Sequence, residues 1–309
     1  MSGRLVPIFE AAVAGDRRMM ARAISLIEAR VEGVLEGLEG LRARRSDAPG
    51  APQVIGITGP PGAGKSTIVD RLVSVARRDD RRVAVVAVDP SSPFSGGAIL
   101  GDRVRMDRHA GDLGVFIRSL SSRGHLGGLS RATGQVVDLF DAAGFDLVVV
   151  ETVGVGQSEL AVCEVADTAV VVLTPESGDT VQTMKAGLLE IADLFVVNKA
   201  DRPGADRLVR DLQLAVELDQ ARWAAPVLPA SALEGRGVAE VVEAAAAHLR
   251  WCRVDGRGTW DERRARGRVH TWLDLVGASA RADALAALPA DTLDDLRAGR
   301  ISPYGLARP

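Results

Sequence analysis

Val54-Ile55-Gly56-Ile57-Thr58-Gly59-Pro60-Pro61-Gly62-Ala63-Gly64-Lys65-Ser66-Thr67 is the stretch on which the fold turns. A short apolar run leads into GxxxxGK[ST], and an amphipathic pattern follows it through Ile68, Leu72, Val73 and Ala76. Strand, glycine-rich turn and helix are the setting this motif needs. The glycines let the backbone curl until successive N–H groups point inward at phosphate oxygens. The amino terminus of the helix adds partial positive charge at the same place. Residues 59 to 67 are therefore read as the phosphate site. Lys65 is assigned to the β- and γ-phosphates, and the Ser66 hydroxyl to magnesium.

Further apolar runs extend outward from this segment: Val83–Val88, Val115–Ile117, Leu147–Val150, Ala169–Leu173, Leu194–Val197 and Val227–Leu228. Several are Val-rich and lack polar alternation, as strands buried on both faces do. Helical patterns separate them, so the fold class is α/β, a mostly parallel sheet flanked by helices. Three regions follow: a helical extension over residues 1–50, the P-loop domain over 51–250, and a helical arm over 251–309. In the first region Ile24, Ile27, Val31, Val34, Leu38 and Leu41 lie on one helical face, which Gly33, Gly37 and Gly40 weaken. That helix either packs on the main domain or binds a partner. The segment Ser46 to Pro52 reads as a linker. Three of the four tryptophans fall in the arm, which fits an interface or simple packing.

With 309 residues, 47% apolar and 26% charged, the chain has the balance of a globular protein. A net charge of −3 gives no general attraction to nucleic acid or to an anionic membrane. No run of about 18 apolar residues is present to span a bilayer, and the amino terminus lacks a signal-peptide core. A cytoplasmic location is the expectation. Cys163 and Cys252 form no CxxC pair, so neither a disulfide framework nor a zinc site is indicated.

Two carboxylates stand at strand ends. Asp89 closes its strand where a ligand crevice opens, although a turn-forming Asp before Pro90 fits the position equally. Glu151 opens Glu151-Thr152-Val153-Gly154, the place of the acidic residue and glycine that sense a γ-phosphate; the Gly154 N–H is assigned to that phosphate. Asn198-Lys199-Ala200-Asp201 follows a later strand and matches NKxD. Asp201 can accept from the guanine N1–H and exocyclic amine, whereas adenine offers no matching donors, so GTP is preferred to ATP. Asn198 is expected to tie the base loop to the phosphate loop, and the Lys199 stem to cover the ring. Ser231-Ala232 fits the short loop that meets the guanine carbonyl.

Longer motifs add a family resemblance. They are Val88-Asp89-Pro90-Ser91-Ser92-Pro93, Gly96 to Met106, Arg123-Gly124-His125-Leu126-Gly127-Gly128-Leu129, Glu151 to Glu159, and Ile301-Ser302-Pro303-Tyr304. Together the chain closely resembles the methylmalonyl-CoA mutase-associated GTPases, chaperones of adenosylcobalamin-dependent acyl-CoA mutases, whose relatives were once called arginine/ornithine transport kinases. The resemblance implies a fold of the signal-recognition-particle and MinD class and a homodimer held largely by the carboxyl-terminal arm. It implies GTP hydrolysis to GDP coupled to loading of adenosylcobalamin from an adenosyltransferase onto the mutase, and protection of that mutase. It carries metal and catalytic roles to Asp89, Asp102 and Glu151, beside Ser66 for metal and Lys65 for catalysis. A loop relaying the nucleotide state carries over to Gln182 and Lys185.

Without the resemblance, Asp102 would be a plain loop carboxylate and Lys185 a solvated surface lysine. His125 reads as structural or partner-facing. The segment before the first motif looks short for a targeting peptide, which favours a bacterial member over a mitochondrial one. Val155 stands where small GTPases place a water-orienting Gln, so slow intrinsic turnover is expected. Three rivals stand beside this reading: a nickel or cobalt metallochaperone, a transport-associated kinase, and a targeting GTPase of the signal-recognition type. Four scattered histidines and two isolated cysteines argue against the first. The NKxD loop and the lack of a phospho-acceptor feature argue against the second. The third lacks a basic module.

Overall fold

The computed structural model describes residues 5–45, 52–89, 106, 108–121, 131–152, 162, 165–177, 191–218, 223–255 and 280. The chain divides into two compact units, Met1–Arg266 and Gly267–Pro309, and the elements below belong to the first. Beyond residue 255, the arm assigned to residues 251–309 lies outside the described residues apart from residue 280.

Seven strands form one sheet: β1 (Gln53–Thr58), β2 (Val83–Asp89), β3 (Val115–Ser121), β4 (Leu147–Thr152), β5 (Thr168–Leu173), β6 (Leu194–Val197) and β7 (Val227–Pro229). Their order is β3-β2-β4-β1-β5-β6-β7, and every neighbouring pair is parallel. The seven apolar runs of the sequence thus became strands of the expected parallel sheet. Each residue of β1, β4, β5 and β6 is buried, which is why these strands show no polar alternation.

Side chains alternate between the two faces with the period of a strand. Val54, Ala84, Val86, Val88, Val148 and Val150 point to one face, packed by helices α1 (Val6–Val13), α2 (Arg17–Ala29), α3 (Val34–Arg45) and α5 (Arg131–Ala142). Ile55, Ile57, Val83, Val85 and Val149 point to the other, covered by α4 (Lys65–Arg78) and α7 (Val238–Val254). Helix α6 (Ala205–Leu218) seats Ala205, Leu208 and Leu212 against β5, β6 and β7. Among the described residues no helix is long and apolar enough to cross a membrane.

The apolar face expected to run through one helix from Ile24 to Leu41 is carried by two. Helix α2 stops because Arg30 adopts a left-handed conformation (φ 55°), with its N–H bonded back to Ile27 O and Leu26 O. Ile24, Ile27, Val34 and Leu41 are buried, while Val31 falls in the break and is 38% exposed. The expected weakening by Gly37 has a counterpart in packing. A Cβ there would sit 2.8 Å from Phe9 Cδ2, so the missing side chain lets α3 close on α1. Helix α2 begins at Asp16, whose carboxylate accepts from Arg18 N–H at 2.8 Å and Met19 N–H at 3.1 Å. Arg118 of β3 donates to Ser25 Oγ at 2.9 Å and to Glu28 Oε2 at 3.3 Å, fastening α2 to the edge of the sheet.

Because all strands run the same way, their carboxyl ends share one edge. The turn after β1, Asp89 of β2, Glu151 of β4, the Asn198 loop after β6 and the Ser231 loop after β7 all lie along that edge. Ligands of open α/β sheets bind there.

Candidate nucleotide site

The turn from Gly59 to Gly64 hands β1 to α4. Gly59 (φ 136°) lies so close to β5 that a Cβ would stand 2.1 Å from Val172 O. Gly64 (φ 86°) is the residue before the helix, and a Cβ on it would stand 2.3 Å from Asn198 Nδ2. No L side chain fits either position, for reasons of both space and backbone. Pro61 and Gly62 are exposed at the tip of the turn, Thr67 is half-buried, and Lys65 and Ser66 are buried at the head of α4. Lys65 Nζ donates to Gly59 O at 2.6 Å and to Pro60 O at 3.0 Å, which folds its ammonium over the mouth of the turn.

Glu151 comes to this point from β4, adjacent to β1 in the sheet. It is buried, and its Oε1 accepts from the Ser66 hydroxyl at 2.7 Å. The Ser66 proton is thereby committed to Glu151, and the oxygen offers its lone pairs elsewhere. Thr152 Oγ1 donates to Thr58 Oγ1 at 3.0 Å and joins the ends of the same two strands. A hydroxyl and a carboxylate at the head of a helix are hard oxygen donors of the kind that suit Mg2+. Asp89 closes β2, which pairs with β4 on the side away from β1.

Asn198 is the joint between the two halves of the site. It is 3% exposed, donates through Nδ2 to Ala63 O at 2.8 Å, and accepts from Ala232 N–H through Oδ1 at 3.1 Å. One side chain so links the phosphate turn, the loop after β6 and the loop after β7. Lys199 turns the chain in the left-handed region (φ 58°), a costly conformation for a side chain of its size that clusters at functional sites. Its Nζ lies 3.5 Å from Glu176 Oε2, in the short turn Pro175–Ser177 after β5. Arg202 also pairs with Glu176 and holds that carboxyl well below its ordinary range.

Asp201 accepts from Ser231 Oγ at 2.7 Å, and this bond is the main cause of a carboxyl pKa below the ordinary value; its own backbone N–H, Arg202 and Arg236 act in the same direction. The carboxylate is therefore ionised and aimed by the loop after β7. That loop is closed by the pair Ser231 N–H to Arg236 O (3.0 Å) and Arg236 N–H to Ser231 O (3.1 Å). Arg71, on α4, donates to Ala232 O and to Leu233 O, both at 2.9 Å.

The structure thus brings residues 59–67, Glu151, Asn198, Lys199, Asp201, Ser231 and Ala232 to one edge. Asp102, Gly154, Gln182 and Lys185 lie outside the described residues, as does the side chain of Asp89. Arg71 and Glu176 are site residues that motif reading misses. An arginine on the polar side of a helix and a glutamate after a strand carry no signal in sequence; only their partners reveal them.

A parallel sheet that sets a GxxxxGKS turn beside an NKxD loop defines a P-loop GTPase. Comparison with known proteins narrows this class. The chain belongs to the family described as methylmalonyl-CoA mutase-associated GTPase MeaB, whose model matches residues 20–287, and it is accordingly a GTP hydrolase. A Pyrococcus horikoshii protein named "Putative GTPase" is 47% identical over 251 residues, 79% of this chain and 77% of the relative. The mouse protein named "methylmalonic aciduria type A homolog, mitochondrial" is 36% identical over 250 residues, 76% of this chain and 60% of the relative. A crystal structure of an LAO/AO transport system kinase superposes with a TM-score of 0.70 at 27% identity, over 98% of this chain and 94% of that one. The family resemblance drawn from the long motifs is the one found.

Proposed function

We propose that this GTPase serves an adenosylcobalamin-dependent acyl-CoA mutase, methylmalonyl-CoA mutase before others, and couples GTP binding and hydrolysis to cofactor loading and protection of that enzyme. The observation that carries the reading is the match of a mutase-associated GTPase family over residues 20–287. The name of the mouse relative, which refers to methylmalonic aciduria, points the same way. A cobalamin adenosyltransferase is the proposed source of the cofactor. A homodimer joined through residues 251–309, in the cytoplasm, completes the proposal.

In this reading the chain does the following. The backbone N–H groups of residues 59–66 and the Lys65 ammonium hold the β- and γ-phosphates, with Lys65 exchanging its carbonyl partners for phosphate oxygens. Ser66 and Glu151, joined at 2.7 Å, would hold Mg2+, with Asp89 and Asp102 as further candidates for that shell. The ion, when bound, would supply charge neutralisation to the phosphates. Asp201 accepts from the guanine N1–H and amine, and Asn198 keeps the base loop and the phosphate turn at a fixed distance. Water attacks the γ-phosphorus in line as the bond to the bridging oxygen breaks. Gly154 senses the γ-phosphate, and Gln182 and Lys185 relay its loss to the mutase. With Val155 in place of a water-orienting Gln, intrinsic turnover is slow and the mutase accelerates it by reordering loops.

Single-turnover GTP hydrolysis with and without purified mutase tests this. The expected result is a stoichiometric complex and a rate raised several-fold or more, below the roughly 10³–10⁵ of an added arginine. No complex with any acyl-CoA mutase, or a rate indifferent to it, contradicts the proposal. The name of the superposed crystal structure raises a kinase reading. γ-Labelled GTP separates the two: label released as inorganic phosphate supports hydrolysis, and label transferred to protein supports the kinase.

A further inference from the structure

Burial holds the base of the loop 231–236, where Ser231 and Ala232 are each 2% exposed, but not its tip. Leu233 is 80% exposed, and Glu234 and Gly235 are exposed beside it. Beyond the packing of Ala232, polar bonds hold the loop from three directions. The reciprocal backbone pair between Ser231 and Arg236 closes its base. Asn198 takes the N–H of Ala232 at 3.1 Å. Arg71 takes the next two carbonyls, Ala232 O through Nε and Leu233 O through Nη2, each at 2.9 Å. A planar guanidinium with donors in a fixed fork suits two successive carbonyls, whereas a lysine ammonium can occupy such a site only as a point charge. The peptide groups on both sides of Ala232 are thus gripped, one by the base loop and the other by the helix that starts at the phosphate turn.

We infer that Arg71 is a positioning residue for base selection: by fixing the Ala232 and Leu233 carbonyls from α4, it sets the direction in which the Ser231-Ala232 turn presents its backbone to the 6-oxo group of a purine. Arg71 acts through the loop it holds. The inference rests on the reading of 231–232 as the loop that meets the guanine carbonyl. It makes purine choice depend on a residue of the phosphate-loop helix that belongs to none of the nucleotide motifs. Asp201, which reads the amine edge, is aimed by the Ser231 hydroxyl at 2.7 Å, and the Ser231 backbone is closed by its pair with Arg236 rather than by Arg71, so losing Arg71 weakens the 6-position more than the amine edge.

That asymmetry gives the test. Arg71→Ala and Arg71→Lys are titrated calorimetrically, as full chains with magnesium, against GTP, ITP and 2-aminopurine riboside triphosphate. The first two carry the 6-oxo group; the third lacks it and keeps the amine. Arg71→Ala should bind GTP and ITP about tenfold more weakly, about 1.4 kcal/mol. Its affinity for 2-aminopurine riboside triphosphate should change less than about twofold, within 0.4 kcal/mol. Arg71→Lys should fall between the wild type and Arg71→Ala. If Arg71→Ala does not fold, the same ratios read on Arg71→Lys decide. An equal loss for all three nucleotides, or an unchanged GTP affinity, overturns the inference. A wild-type chain that binds all three alike overturns the base-site reading itself, and this inference with it.

Discussion

Replacing Asn198 by Ala cuts the joint between the base loop and the phosphate turn. Asn198 is buried, and its two bonds, to Ala63 O at 2.8 Å and from Ala232 N–H at 3.1 Å, engage both ends of its amide. Truncation strands a carbonyl and an N–H in a site the protein otherwise closes. Each stranded group costs about 1–3 kcal/mol, and entry of water into the vacated volume recovers part of it. We expect Asn198→Ala to lose about 2–4 kcal/mol of folding stability by urea denaturation. Loops that are no longer tied must be ordered by the ligand, so GTP affinity should also fall, by roughly tenfold to a hundredfold, or about 1.4–2.7 kcal/mol. Asn198→Asp keeps the acceptor for Ala232 N–H but sets a carboxylate oxygen against Ala63 O, and should be at least as damaging. A variant Asn198→Ala that melts within about 0.5 kcal/mol of wild type and binds GTP normally would refute the bridging role, since that is the scatter of a surface substitution.

Lys65→Ala should fold, because the apolar clusters of the sheet do not include Lys65, yet lose at least about a hundredfold in GTP hydrolysis, about 2.7 kcal/mol; circular dichroism and a phosphate-release assay check the pair of outcomes. Asp201→Asn reverses one hydrogen bond to the base edge and should move preference from GTP toward XTP, whose 2-oxo group accepts where guanine donates; competition binding reads this. Arg77 donates to Asp112 through Nε at 2.8 Å and Nη2 at 3.1 Å, joining the end of α4 to the turn before β3, and this pairing holds the Asp112 carboxyl below its ordinary value of 3.8. A depressed folded pKa gives stability that is present above the unfolded pKa and lost as pH falls through the folded one. Asp112→Asn should therefore cost about 1 kcal/mol near neutral pH, and the gap to wild type should close below about pH 3.8, as followed by urea melts across pH.

The sequence carries most of the sheet openly, because β2, β4, β5 and β6 are apolar, Val-rich runs with no polar alternation, and a strand buried on both faces needs none. Lys65, Glu151 and Asn198 are legible for a different reason: phosphate and guanine chemistry demand fixed residue types at fixed spacings. Strand order is not legible, since the neighbours of β1 are β4 and β5, pairings between segments roughly a hundred residues apart. The break at Arg30 is hidden because the apolar period continues through Val31 into Val34, and only the left-handed backbone at Arg30 ends the helix. Gly37 looks like a defect in α3 until Phe9 is seen beside it. Arg71 and Glu176 look like solvated charges until the loops they hold are in place. What sequence withholds here is long-range pairing, which local propensity does not encode.

The claim beneath all of this is that the turn closed by Lys65 and the loop ending at Asp201 grip one guanine nucleotide. Calorimetric titration of the full chain with GTP and with ATP, at equal magnesium, measures it directly. Guanine should bind tighter by at least about a hundredfold, the scale set by leaving buried acceptors unpaired against adenine. Equal affinities for the two nucleotides would contradict the account.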